Sequence, residues 1–327
     1  MRRSILPALL LALTAAPLLS TACAATPTLR QVPERVVLSD TAALRRTLEG
    51  ITADYPGTVG ISLRNLRTGE TLSLRGSETF PSASLIKLSV LVTLLDEVQA
   101  GRMRLEEPIT LLARDRVGGS GVLQHMASGH TLSVEEAARL MIIISDNTAT
   151  NLLLDKLDIR TTWSKMEALG LPHTKIHSKT FRRHTSVAMD SSVKYGLGVT
   201  TPDEIVQLFT LLHQGRAVSP AMDSLALEIL KGTEDGERLR RWLPAGTRVA
   251  HKSGSVDRAR NDCGILYGTE APVALCVMTR EDEDLPYTVD SRANLLIARI
   301  AREVFRHHNP STPLPSLPTL SPPGPSD

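Results

Sequence analysis

Ser84 and Lys87 stand at i and i+3 in Ser84-Leu85-Ile86-Lys87. On a helix this spacing puts an amine beside a hydroxyl on one face. A serine hydroxyl is a weak nucleophile until a base takes its proton. A lysine removed from water near other cations loses its charge and can be that base. A helix beginning at Ser84 also favours negative charge building there. The pattern is common by itself, and Ser191-Ser192-Val193-Lys194 repeats it.

Further along, Ser145-Asp146-Asn147 falls between two expected helices. A serine there can relay a proton to a leaving group, Asn147 can donate to a substrate amide, and Asp146 can brace the loop. Lys252-Ser253-Gly254-Ser255 falls at an expected strand. Lys252 supplies fixed positive charge for a substrate carboxylate. Gly254 removes a side chain where substrate must lie along the strand. The backbone N–H groups of Ser84 and Ser255 offer an oxyanion hole.

In this order the segments resemble the motif set of class A β-lactamases and penicillin-binding proteins. Pro81-Ser82-Ala83-Ser84-Leu85-Ile86-Lys87 is similar to that family's nucleophile motif, and Met141 to Leu154 to its second. Leu239 to Ser255 is similar to the approach to its third. The resemblance spans about residues 39–307. It implies an α+β fold with a five-stranded antiparallel sheet flanked by helices, an all-helical part over about 84–218, and an active site in the cleft between them. It also implies roles. Ser84 is acylated, Lys87 activates it and Ser145 protonates the leaving nitrogen. Lys252 and Ser253 hold a carboxylate, Asn147 a side-chain amide. The implied substrate is a β-lactam or a D-Ala-D-Ala-like peptidoglycan group, taken by a monomer without a cofactor.

The pattern breaks in two places. Class A enzymes carry a glutamate after the second motif that directs water onto the acyl-enzyme. Ser178 to Thr201 contains no glutamate, its only acid is Asp190, and the nearby histidines are His177 and His184. The position expected for the family's arginine after the third motif reads Asp262, with Arg258 and Arg260 close by. Three readings stay open. The protein hydrolyses β-lactams with Asp190, a histidine or Lys87 handling the water. It acylates and releases slowly, as a penicillin-binding protein or D-alanyl-D-alanine peptidase does. Or it hydrolyses another ester or amide.

The elements that must position these groups follow from periodicity. Leu44, Leu48 and Ile51 recur at helical spacing, and Val59, Ile61 and Leu63 alternate as in a half-buried strand before a second strand near 71–75. From Leu85 to Val98 the sequence is apolar on nearly every face, so that helix belongs at the centre. Ser133-Val134-Glu135-Glu136 is a capping box, Thr201-Pro202-Asp203-Glu204 combines cap, N1 proline and box, and Ser219-Pro220 opens the next helix. Strands over 247–253, 262–267 and 272–279 precede a last helix from about Ser291 to His307. Strands near both ends are most simply joined in one sheet, with the helices inserted.

The chain has 327 residues, 42% of them hydrophobic, and a formal charge of +2. That allows a sizeable core and argues against a nucleic-acid partner. Residues 1–24 have the order of a secretory signal: Arg2-Arg3, an apolar run, then small residues. Export to the periplasm or medium is expected. Ala22-Cys23-Ala24 suits an ordinary signal peptidase, and Cys23 also suits lipidation, the one expected membrane attachment. Residues 25–38 read as a linker and 308–327 as a disordered Pro-rich tail. Cys263 and Cys276 are expected opposite one another on neighbouring strands as buried free thiols, because directly opposed geometry strains a disulfide. His125, His130, His173, His177 and His184 show no zinc spacing, and no glycine-rich loop suggests a nucleotide.

Overall fold

Apolar alternation builds a sheet that the chain enters at both ends. The computed structural model describes residues 41–281, 283 and 285–317, all within one compact unit. The expected signal segment, Cys23 and the linker lie outside the described residues.

Helix α1 (Thr41–Thr52) leads into β1 (Thr58–Asn65), β2 (Thr71–Leu74) and the short β3 (Phe80–Pro81). A 3₁₀ turn (Ala83–Ile86) opens directly into α2 (Lys87–Gln99). The hairpin β4 (Pro108–Thr110) and β5 (Thr131–Ser133) precedes α3 (Val134–Ile143), α4 (Asn147–Lys156) and α5 (Ile159–Ala168). Then come β6 (Lys175–Ile176), α6 (Met189–Tyr195), β7 (Gly198–Thr200), α7 (Pro202–His213) and α8 (Pro220–Lys231). The chain returns through β8 (Arg248–Val256), β9 (Ala259–Tyr267), β10 (Pro272–Arg280) and α9 (Arg292–His308).

The main sheet has the order β2-β1-β10-β9-β8, with every neighbouring pair antiparallel. Leu44 and Leu48 of α1 and Ile297, Ile300, Val304 and Phe305 of α9 share a core with Ile61, Leu63, Leu275 and Val277 on one face. The opposite face packs on a second core built around α2, in which Leu88, Val90, Leu91, Val92, Leu94 and Leu95 are all buried. Fully burying each such side chain contributes about 1.5–3 kcal/mol, so α2 is the rigid post on which the site stands.

The caps form where the sequence placed them. Ser133 and Glu136 complete a reciprocal box at α3. Thr201 caps α7, but the Glu204 carboxylate turns to the His173 N–H and the Thr174 hydroxyl instead of closing the box.

One expectation is corrected. Cys263 and Cys276 pair directly across β9 and β10 and are joined in a disulfide, not left as free thiols. Their Cα atoms are 4.0 Å apart, the close approach of a directly opposed antiparallel pair that points both side chains the same way. After α9 the structure describes the chain through Leu317, and the remainder of the expected Pro-rich tail lies outside the described residues. Asn309 is buried; its Oδ1 accepts from the N–H groups of Glu270 and Ala271, and its Nδ2 donates to the Ala271 and Phe305 carbonyls. One asparagine thereby ties the helix end to the β9–β10 turn despite the surrounding prolines.

Candidate active site

The nucleophile turn is held by backbone contacts from three sides. Ser82 N–H donates to the Gly198 carbonyl at 3.0 Å. Asn261 on β9 donates its Nδ2 to the Pro81 and Ser82 carbonyls at 2.8 and 3.2 Å. Gly254 on β8 lies so close that a Cβ there would stand 2.5 Å from Ser82 O and 3.1 Å from Ser84 N. Any side chain at 254 would push β8 off the turn. Strand β8 runs to Val256, past the expected end at 253, because Gly254 and Ser255 continue the ladder opposite Asn261 and Arg260. Ala83, immediately before Ser84, has φ 47°, a left-handed conformation that costs about 1–3 kcal/mol in a non-glycine residue.

Lys87 begins α2 and is fully buried. Its Nζ donates to the Ser145 carbonyl (2.7 Å), Ser145 Oγ (3.2 Å) and Asn147 Oδ1 (2.9 Å). Burial, and then the charge of Lys252, push its pKa well below the ordinary lysine value, with Asp146 opposing them. Lys252 is buried too, and its Nζ donates to Ser145 Oγ (3.2 Å) and the Ser253 carbonyl (2.9 Å). Burial lowers its pKa to about 8 against the pull of Asp235 and Asp262.

Ser145 connects the lysines from a left-handed turn, φ 56°. Asp146 holds that turn: Oδ1 accepts from Ala149 N–H as the cap of α4, and Oδ2 accepts from Val122 and Leu123 N–H. Asn147 Nδ2 donates to the Gly118 carbonyl, so its amide is oriented before substrate arrives. Ser84, Ser120, Ser145, Asp235, Lys252, Ser253, Gly254 and Ser255 line one recess. A cleft of about 930 Å³ continues from Ser84 past Asn147, Ser178, Thr180, Lys194 and Tyr195. β8 is the edge strand of its sheet, which leaves part of its backbone free to face a ligand. An oxygen placed between the N–H groups of Ser84 and Ser255 would complete an acyl-transfer site.

The sequence missed the arginine. Arg260 turns away, donating to the carbonyls of Val256, Ala259, Leu285 and Pro286. Asp262 is buried against His251 Nδ1 at 2.9 Å and accepts from Leu239 N–H. Arg238 approaches the third motif instead. Its Nη2 donates to Ser255 Oγ at 2.6 Å, its Nε to Asn294 Oδ1 at 2.7 Å. The available signal was an arginine in the segment leading into β8.

Asp190 is not brought to the site. It is exposed in the first turn of α6 and lines neither the recess nor the cleft. The helix carries it outward while Lys194 and Tyr195 face the cleft. His184 is exposed, and His177 is buried with Nδ1 at the Gly196 carbonyl. The acids among the lining residues are Asp257, Glu234 and Asp235. The wall formed by 178–183 and 194–197 contributes none.

Residues 43–308 match the family model described as the beta-lactamase enzyme family. The extended-spectrum beta-lactamase PER-1 of Pseudomonas aeruginosa is 24% identical over 298 residues, covering 85% of this chain and 90% of that protein. A beta-lactamase structure from Sphaerobacter thermophilus superposes with a TM-score of 0.73 at 28% identity, covering 84% of this chain and 99% of that one. A mutant of PBP-A, described as an acyl-enzyme complex with penicillin-G, superposes at 0.71 with 27% identity, covering 81% and 96%.

Proposed function

The chain belongs to the beta-lactamase enzyme family, and from that premise we propose that it is an exported enzyme that opens β-lactam amides through an acyl-enzyme at Ser84. The observation that carries the reading is the convergence of three distant segments. Lys87 and Lys252 both donate to Ser145 Oγ, while Gly254 abuts the backbone nitrogen of Ser84.

In this mechanism neutral Lys87 takes the Ser84 proton as Oγ attacks the lactam carbonyl. The developing oxyanion is held by the N–H groups of Ser84 and Ser255. The proton passes through Ser145 to the departing nitrogen, and the C–N bond breaks. Lys252, Ser253 and Arg238, through Ser255, form the polar end that holds the leaving portion. In the second half, neutral Lys87 takes a proton from the attacking water and returns it to Ser84 Oγ as the ester C–O bond breaks and the acid product forms. Export is supported by the order of residues in Met1 to Ala25.

A second reading is favoured by the wall that contributes no acid. With no carboxylate on that side to activate water, the acyl-enzyme forms and persists, as in a penicillin-binding protein or D-alanyl-D-alanine peptidase. Pre-steady-state nitrocefin hydrolysis separates the two. Sustained turnover, abolished in Ser84→Ala, supports hydrolysis. A stoichiometric burst followed by a flat trace supports slow release, and no signal at either stage defeats both.

A further inference from the structure

The wall that contributes no acid carries charge of the other sign. Lys179, Arg183 and Lys194 line the cleft from the segments 178–183 and 194–197, and Arg258 lines it from the β8–β9 turn. Asp257 is the only acid among the residues lining that cleft, and it accepts from the Tyr287 hydroxyl at 3.1 Å. Lys179 is neutralised by an ion pair with Asp155. Arg183 and Lys194 are exposed and have no carboxylate partner among the described residues. Lys194 Nζ lies over the Tyr195 ring, 4.8 Å from its centroid, a contact that orients the amine and leaves its charge uncancelled. Phe181 lies on the same wall and is 73% exposed. Its φ of 56° is left-handed, a costly conformation for a bulky residue. A Cβ at Gly119 would stand 3.0 Å from the Phe181 ring and 2.8 Å from Asn147 Nδ2. The strained aromatic therefore sits beside the amide-holding asparagine.

We propose that Arg183 and Lys194 are specificity residues that select substrates whose acyl side chain carries an anionic group next to an aromatic one. This deepens the acyl-transfer reading above and rests on it. The carboxylate of the leaving portion stays with Lys252 and Ser253. With that end in the recess, the acyl side chain leaves Ser84 past Asn147 and enters the cleft of about 930 Å³. An anion on it meets two uncompensated cations and no acid on that wall. Each attraction is solvent-exposed and worth about a few-fold in affinity, and both act on the same anion. An aromatic group beside the anion can rest on Phe181 or on Tyr287, which is 67% exposed. A cationic side chain gains nothing from the rings that the two cations do not oppose.

The test compares carbenicillin with penicillin G on the full-length protein. The two share the leaving portion and the phenyl ring and differ by one carboxylate on the acyl side chain. The second-order acylation constant is read as kcat/KM where the acyl-enzyme turns over and as adduct formation by intact mass where it persists. The expected carbenicillin-to-penicillin G ratio is about fivefold or more at low salt. In the double variant Arg183→Gln with Lys194→Gln the ratio falls by about fivefold or more. In the charge-keeping pair Arg183→Lys with Lys194→Arg it stays within about twofold of the unaltered value. A smaller ratio in the unaltered protein overturns the proposal without needing a variant. An equal loss with both compounds leaves the ratio unchanged and also overturns it, since the two residues would then be serving the wall itself. Failure of both compounds to acylate Ser84 overturns the parent reading and this one together.

Discussion

Lys87 and Lys252 face one another across the hydroxyl of Ser145, each Nζ 3.2 Å from its Oγ. Two buried cations sharing one acceptor disfavour both being charged. The pair therefore does two jobs with one residue type. Lys87, at the foot of the nucleophile helix, is pushed toward the neutral base. The Lys252 pKa is lowered by burial to about 8, with Asp235 and Asp262 pulling the other way.

Removing the base should be felt in acylation first. Lys87→Ala is expected to slow penicillin acylation by about 10²–10⁴-fold, while circular dichroism shows the fold intact. The check is the second-order acylation constant, and a loss below tenfold would assign the base elsewhere.

The pH profile follows from the two lysines. Lys87 works deprotonated, so the acylation rate rises as pH passes upward through its lowered pKa. Lys252 works protonated, and its pKa is about 8. Its hold on an anionic leaving portion is complete below that value and fades above it, so KM climbs on the alkaline side. In Lys252→Arg the guanidinium stays charged, and the alkaline rise in KM should vanish. KM measured from pH 6 to 10 in both proteins decides this.

Asn261 ties β9 to the nucleophile turn through the Pro81 and Ser82 carbonyls. Asn261→Ala removes the donor to the Pro81 carbonyl and the acceptor of Thr279 N–H, while the Ser82 carbonyl keeps the Leu85 N–H, and should destabilise by about 1–3 kcal/mol. The strained Ala83 conformation loses its support as well, so acylation should slow beyond what the lost stability explains. Urea unfolding alongside acylation rates measures both effects.

The disulfide closes a loop with a sequence separation of 13, for which chain entropy alone gives about 3 kcal/mol. Replacing both cysteines with alanine should lower stability by that order and leave the acylation constant within a few-fold. A thiol titration of the denatured, unreduced protein should find Cys263 and Cys276 unreactive.

Asp190→Asn should change neither acylation nor release by more than twofold, because the side chain points away from the cleft. Selective slowing of release would mean that α6 moves in the acyl-enzyme.

The motif residues were legible because each group is local: Ser84 with Lys87 on one turn, Ser145 to Asn147 in one loop, Lys252 to Ser255 on one strand. Alternation and capping also gave the five-stranded sheet and most helix starts. Arg238 and Asn261 were not legible, since their roles arise from sheet register and from a loop folding back on β8. No spacing rule connects them to Ser84. The free-thiol expectation failed because it judged the cysteines by pairing pattern without the actual Cα approach. The anchoring of the helix end by Asn309 was not legible either, because Pro, Ser and Thr dominate the residues that follow it.

The most direct measurement is peptide mapping of the protein after brief exposure to penicillin G. The expected result is one covalent adduct, on the tryptic peptide that contains Ser84, and its loss in Ser84→Ala. An adduct on the peptide carrying Ser191 and Ser192, or no adduct together with no penicillin G turnover, would contradict the convergence of the three segments on Ser84.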